Sequence, residues 1–112
     1  VYDGAAGPPG SQRIEDALRA YFRGARLEVG ETGRRDGSDH ASFARAGIPV
    51  GGLFSGAKTR KTAAQARRYG GRAGRPLDPC YHRACDTVAN VDTRVLGQMS
   101  DATARAVTAL AR

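Results

Sequence analysis

The stretch GSDHASFARAGIPVGGLFSGA, residues 37–57, changes its hydrophobic pattern halfway along. Through HASFARAG, Ser38 or Asp39 offers a side chain to cap a short helix, and Gly47 is placed to end it. Directly afterwards IPVGGLF, Ile48 to Phe54, is a short apolar run set among glycines, the pattern of a buried strand, which Pro49 confines to an early or edge position. Helix followed at once by buried strand is the unit from which α/β layers are built.

The flanks extend this pattern in both directions. Upstream, VYDGAAGPPGS is rich in Gly and Pro and reads as a loop. Ser11 is a plausible N-cap for QRIEDALRAYFRG, where Ile14, Leu18 and Phe22 recur every four residues and Ala17 and Tyr21 flank them, which predicts an amphipathic helix ending near Gly24. RLEVGE alternates apolar Leu27 and Val29 with polar neighbours, as a half-buried strand does, and TGRRDGSDH is a linker. Downstream, residues 55–79 are polar and Gly-rich, with KTAAQARRYG the only helical stretch; so long an excursion is usually functional or disordered. The last segment, ANVDTRVLGQMSDATARAVTALAR, opens with Asn90 or Asp92 as cap and carries Leu96, Met99, Ala106, Val107 and Leu110 on one predicted helical face. Helices alternating with short apolar strands favour an α/β sheet with helices on its faces.

A chain of 112 residues is the size of one domain or a piece of one. It begins at Val1 with no leader pattern, from which an earlier natural start is expected. No apolar stretch approaches the roughly 20 residues that cross a bilayer, so no membrane partner is expected. The net charge of +7 rests almost wholly on arginine, Lys58 and Lys61 being the only lysines. A basic surface attracts polyanions, but an Arg, Ala and Gly excess also follows from GC-rich coding. In the densest patch, RRYGGRAGR at residues 67–75, only Tyr69 is interleaved to stack on a base, so the nucleic-acid signal is weak.

DPCYHRACD, residues 78–86, holds both cysteines and His82, one of two histidines. Cys80 and Cys85 enclose four residues, and a disulfide there closes a small loop worth about 2 kcal/mol by chain entropy. Zinc held by Cys80, His82 and Cys85 is the competing reading; it lacks a second ligand cluster and would need His40 from a distance. A cysteine nucleophile would need a free thiol beside His82, and pairing of the two cysteines argues against it. Tyr81 stands next to His82, and a tyrosine hydroxyl is a good donor to a developing oxyanion. Without further context, a surface histidine and a packed tyrosine explain the same two letters.

The run GSDHASFARAGIPVGGLFSGA, followed by KTAAQARRYGGRAGRPLDPCYHRACDTVANVD, closely resembles the C-terminal part of secreted bacterial zinc aminopeptidases of peptidase family M28, especially the actinomycete type. The resemblance is strong over residues 37–92 and in register on both sides. It implies a three-layer α/β/α zinc-exopeptidase (phosphorylase/hydrolase-like) fold with a mixed sheet, residues 1–112 being its C-terminal part. It implies an extracellular enzyme that releases N-terminal, large apolar amino acids from peptides with a pair of zinc ions and a glutamate base. His82 falls on a zinc ligand, Tyr81 on the tyrosine that stabilises the tetrahedral oxyanion, and Phe54 on an aromatic lining the pocket for the substrate's first side chain. Cys80 and Cys85 fall on the family's disulfide.

Two positions depart from the pattern. Gly37 stands where relatives carry a substrate-positioning arginine, with Arg35 near but out of register. Gly97 stands where calcium-binding relatives carry an aspartate, while Asp101 keeps the other, so calcium activation is not expected to carry over. The chain holds no H-x-D and no adjacent EE pair, the expected sources of the other ligands and the base. The expectation is therefore a partial site, inactive alone and completed by an upstream half. A remnant whose basic surface binds a polyanion or protein, and a fragment that aggregates through an unpaired sheet edge, are the alternatives.

Overall fold

The computed structural model describes residues 1–33 and 37–112; Arg35, weighed above as a stand-in for the family arginine, lies outside the described residues. The chain divides into two compact units, one formed by Val1–Leu53 with Thr93–Arg112 and the other by Phe54–Asp92.

In the first unit, helix α1 (Ser11–Gly24) packs on helix α4 (Thr93–Leu110). The four-residue repeat does what the sequence predicts: Leu18 and Phe22 are buried, with Ile14, Ala17 and Tyr21 beside them. From α4 they meet Ala102 and Ala106, whose small side chains let the two helices lie close. The predicted face of α4 needs correction. Leu96 and Val107 are 54% and 61% exposed, because each lies roughly 80–100° round the helix from the Ala106 stripe that faces α1. Met99 and Leu110 stay partly buried.

Ser11 is not the cap of α1. Gly10 occupies that position in the left-handed region (φ 97°), and the Ser11 hydroxyl accepts the Val50 N–H at 3.0 Å. Ser11 is fully buried, so its oxygen serves a tertiary contact rather than the helix end. Helix α2 (His40–Arg45) follows Asp39 as expected, without a side-chain cap bond, and Gly47 (φ 77°) follows its end.

The predicted strands form no regular strand among the described residues. A rudiment exists: Tyr2 and Thr32 make an isolated parallel bridge, with Thr32 N–H donating to Val1 O and Asp3 N–H to Thr32 O. On the other side Tyr2 N–H donates to Gly52 O. Three extended pieces thus lie side by side, but one bridge does not make a ladder. Ile48, expected to be buried, is 48% exposed. The Gly51–Gly52 pair answers to close approach: a Cβ on Gly51 would stand 2.4 Å from Ile14 Cγ2 of α1, and one on Gly52 3.0 Å from the Tyr2 ring. The mixed sheet is therefore not formed by these residues, while the parallel sense of the rudiment agrees with an α/β arrangement.

In the second unit, helix α3 (Ala63–Tyr69) is closed by a capping box, Thr62 accepting from Gln65 N–H while Gln65 accepts from Thr62 N–H. An antiparallel bridge between Arg60 and Pro76 ties the two ends of the excursion.

Candidate functional site

The site is built from the end of that excursion. Leu77 N–H donates to Thr59 O and Asp78 N–H to Ala57 O, which fixes where the DPCYH segment starts and links it to a point three residues beyond half-buried Phe54. Gly56 (φ 101°) makes the turn between them, and a side chain there would overlap Leu77.

From Asp78 the chain closes on itself. Cys80 and Cys85 form a disulfide with Cα atoms 5.3 Å apart, and no described cysteine is free. This settles the reading of the pair: a thiolate-held zinc at Cys80 and Cys85 is ruled out in the oxidised chain, since neither sulfur is a thiolate. Inside the ring, Arg83 N–H donates to Cys80 O, followed by turns from Asp86 N–H to Arg83 O and Thr87 N–H to Cys85 O.

Tyr81 and His82 are held as a stacked pair, ring centroids 4.0 Å apart and 15° from parallel. Tyr81 is half-buried and His82 exposed. His82 adopts φ 56°, in the left-handed region that costs a residue with a Cβ about 1–2 kcal/mol. The disulfide and three turns over-determine the loop and hold that conformation in place.

Three residues that sequence reasoning passed over brace this loop. Asp78 Oδ1 accepts the Cys80 N–H at 3.0 Å and also the Asn90 side-chain amide at 3.0 Å; the same amide reaches Asp86 Oδ1 at 3.3 Å. Asn90 is thus a clamp across the base of the loop, not the cap of α4, and it sits in a short 3-10 turn, Val88–Asn90. The Asp-Pro start of the motif signals an Asx turn and would have found Asp78; nothing local signals Asn90.

His40 lies in the other unit, on α2, its ring 5.0 Å from that of Tyr2. Its Nε2 is buried without a hydrogen-bond partner among the described residues. Among those residues no group of three or more His, Cys, Asp or Glu comes together to hold a metal ion. His82 can offer one imidazole nitrogen. The residues present therefore fit one ligand of a metal centre and not a whole one.

Breaking the Cys80–Cys85 bond should cost residues 54–92 about 2 kcal/mol, the loop-entropy value for so short a ring. It should also release the ring stack: in the Cys80→Ala, Cys85→Ala double variant the His82 ring protons move toward their free-peptide NMR shifts, with helix α3 unchanged. Unmoved shifts would show that the turns alone hold the pair.

The disulfide-closed loop thus presents tyrosine and histidine side by side. The sequence profile described as peptidase family M28 matches residues 2–107. The chain belongs to that family. It is 47% identical over 95 residues to leupeptin-inactivating enzyme 1 of Streptomyces exfoliatus, covering 84% of this chain and 22% of that protein. Against an aminopeptidase of Pseudomonas aeruginosa (strain UCBPP-PA14) it is 48% identical over 112 residues, 93% of this chain and 20% of the relative. A leucine aminopeptidase 2 of Trichophyton rubrum is 36% identical over 118 residues, all of this chain and 24% of the relative. The chain thus spans about a fifth to a quarter of the length of these relatives.

Proposed function

We propose that residues 1–112 form the C-terminal part of the catalytic domain of an extracellular zinc aminopeptidase with a three-layer α/β/α fold, one that removes large apolar residues from peptide N-termini. The observation that carries this reading is the disulfide-braced loop in which Tyr81 and exposed His82 are stacked and fixed. Matches to proteins named aminopeptidase over most of the chain point the same way. A disulfide agrees with an oxidising compartment, and no described helix is long and apolar enough to cross a membrane.

In this reading the Tyr81 hydroxyl donates a hydrogen bond to the oxygen that becomes negative as the peptide carbonyl turns tetrahedral. Stacking against His82 limits the ring's motion, so the donor is positioned before the reaction begins. His82 supplies one metal ligand, and Phe54 part of an apolar wall for the first side chain. Zinc, when bound, would polarise the carbonyl and acidify a water. The remaining ligands and the general base come from an upstream half, which makes residues 1–112 inactive alone.

An exchange tests this. The 112-residue chain alone should not hydrolyse leucine p-nitroanilide, with or without zinc. Put in place of the matching segment of the Pseudomonas aeruginosa aminopeptidase, it should support zinc-dependent hydrolysis. A folded, zinc-loaded exchange protein that is inert would overturn the reading, as would zinc-dependent turnover by the 112 residues alone.

A further inference from the structure

Charge is unevenly divided between the two units. Residues 54–92 carry eight lysines and arginines against three aspartates, a net +5 of the chain's +7. Two of those aspartates, Asp78 and Asp86, are engaged with the Asn90 amide at the base of the Tyr81–His82 loop. Two of the cations are built into the backbone: Arg60 donates to Gly74 O at 2.6 Å and Lys61 Nζ to Gly70 O at 3.1 Å. Gly74 N–H to Lys61 O and Lys61 N–H to Arg75 O close the same hairpin. The capped helix α3 then holds Arg67 and Arg68 beside it, and Arg72 and Arg75 complete the lobe. Arg60, Arg67, Arg68, Arg72 and Arg75 are all exposed. The backbone that carries these cations is thus a folded hairpin and helix, with the Arg60 and Lys61 side chains bonded to it.

A unit of 39 residues has a radius of gyration of about 9 Å, close to the Debye length of about 8 Å at physiological salt. The hairpin that carries Arg60 and Arg75 runs directly into the Tyr81–His82 loop, Leu77 N–H donating to Thr59 O and Asp78 N–H to Ala57 O, so a peptide at that loop meets the nearest of these charges within the same small unit. Arginine forks match carboxylates in a planar, bidentate way. A nucleic-acid partner would want stacking platforms, and among the arginines of residues 60–75 Tyr69 alone supplies an exposed ring.

We infer that this arginine lobe selects acidic peptides: substrates with Asp or Glu in the positions following the N-terminal residue. The inference rests on the aminopeptidase reading, and it adds a substrate class set by charge to the apolar preference for the first residue.

The test measures binding, not turnover. Fluorescence anisotropy with the 112-residue chain compares two C-terminally labelled peptides, Leu-Asp-Glu-Asp-Glu-Gly and Leu-Asn-Gln-Asn-Gln-Gly. At about 0.1 M salt the acidic peptide should bind about tenfold more tightly, and near 1 M, where the Debye length is about 3 Å, the difference should vanish. Combined Arg67→Gln, Arg72→Gln and Arg75→Gln should remove most of the preference. Combined Arg13→Gln, Arg23→Gln and Arg45→Gln, three exposed arginines of the other unit, should keep it. Equal binding of the two peptides would overturn the inference. So would equal loss in the two triple variants, or a single-stranded oligonucleotide of the same charge that outcompetes the acidic peptide. Leucine p-nitroanilide has no residue beyond the first, so hydrolysis of it by the exchange protein reports on the aminopeptidase reading separately.

Discussion

Glu15→Ala should destabilise the chain by about 3 kcal/mol and lower its melting temperature by roughly 15 °C, the size expected when a buried carboxylate that answers a buried N–H and a partly exposed arginine is removed. Glu15 is 3% exposed on α1, an unusual place for a carboxylate. It is tolerated because every direction is answered: Gly4 N–H donates at 2.8 Å, Gln12 Nε2 at 3.1 Å, and Arg19 one turn on forms an ion pair. Arg19 continues to Glu31 at 3.3 Å, so the network fastens both the N-terminal segment and the 30–32 segment to α1. Alanine would leave the Gly4 N–H and most of the Arg19 charge without that partner. Burial pushes the Glu15 carboxyl up, but the Gly4 N–H, the Arg19 bond and charge and the Gln12 amide together outweigh it and hold the group below its ordinary range. The contribution is therefore complete above the usual glutamate pKa and is lost as pH falls through the lowered folded value. Thermal melts of the parent chain and of Glu15→Gln between neutral and acidic pH check this. The parent should lose stability on acidification and the glutamine variant less steeply. Parallel curves would show that Glu15 is not the titrating group.

Tyr81→Phe in the exchange protein should lower kcat for leucine p-nitroanilide by about 10²–10³-fold, the loss seen when one oxyanion donor is removed, and change KM far less. Phenylalanine keeps the ring, so the stack on His82 and the loop should survive, and NMR shifts of the His82 ring confirm it. A purely structural tyrosine would give unchanged kcat in that variant. A ground-state contact would instead raise KM at constant kcat.

Some of this was legible from local rules and some was not. The four-residue repeat of Ile14, Leu18 and Phe22 was enough to define α1 and its buried side, because a helical face is set by spacing alone. The five-residue separation of Cys80 and Cys85 pointed to a disulfide, since two thiols that near in sequence meet without help from the rest of the fold. Strands are not set in this way. Leu27, Val29 and the 48–54 run have strand character, yet a ladder requires neighbours in space, and among the described residues no bridge falls on them, the nearest pairing Tyr2 with Thr32. Ser11 does not cap α1 because its hydroxyl accepts from Val50 N–H, 39 residues away.

By itself, then, the sequence determined the helices and the adjacency of Tyr81 and His82, and favoured the disulfide, all of which depend on residues a few positions apart. Tertiary structure alone decided which face of α4 is buried, that Ser11 and Glu15 spend their polar atoms on distant backbone N–H groups, and that Asn90 clamps Asp78 and Asp86 beneath the loop. Those outcomes depend on which distant groups arrive within hydrogen-bond reach, and no local periodicity encodes that.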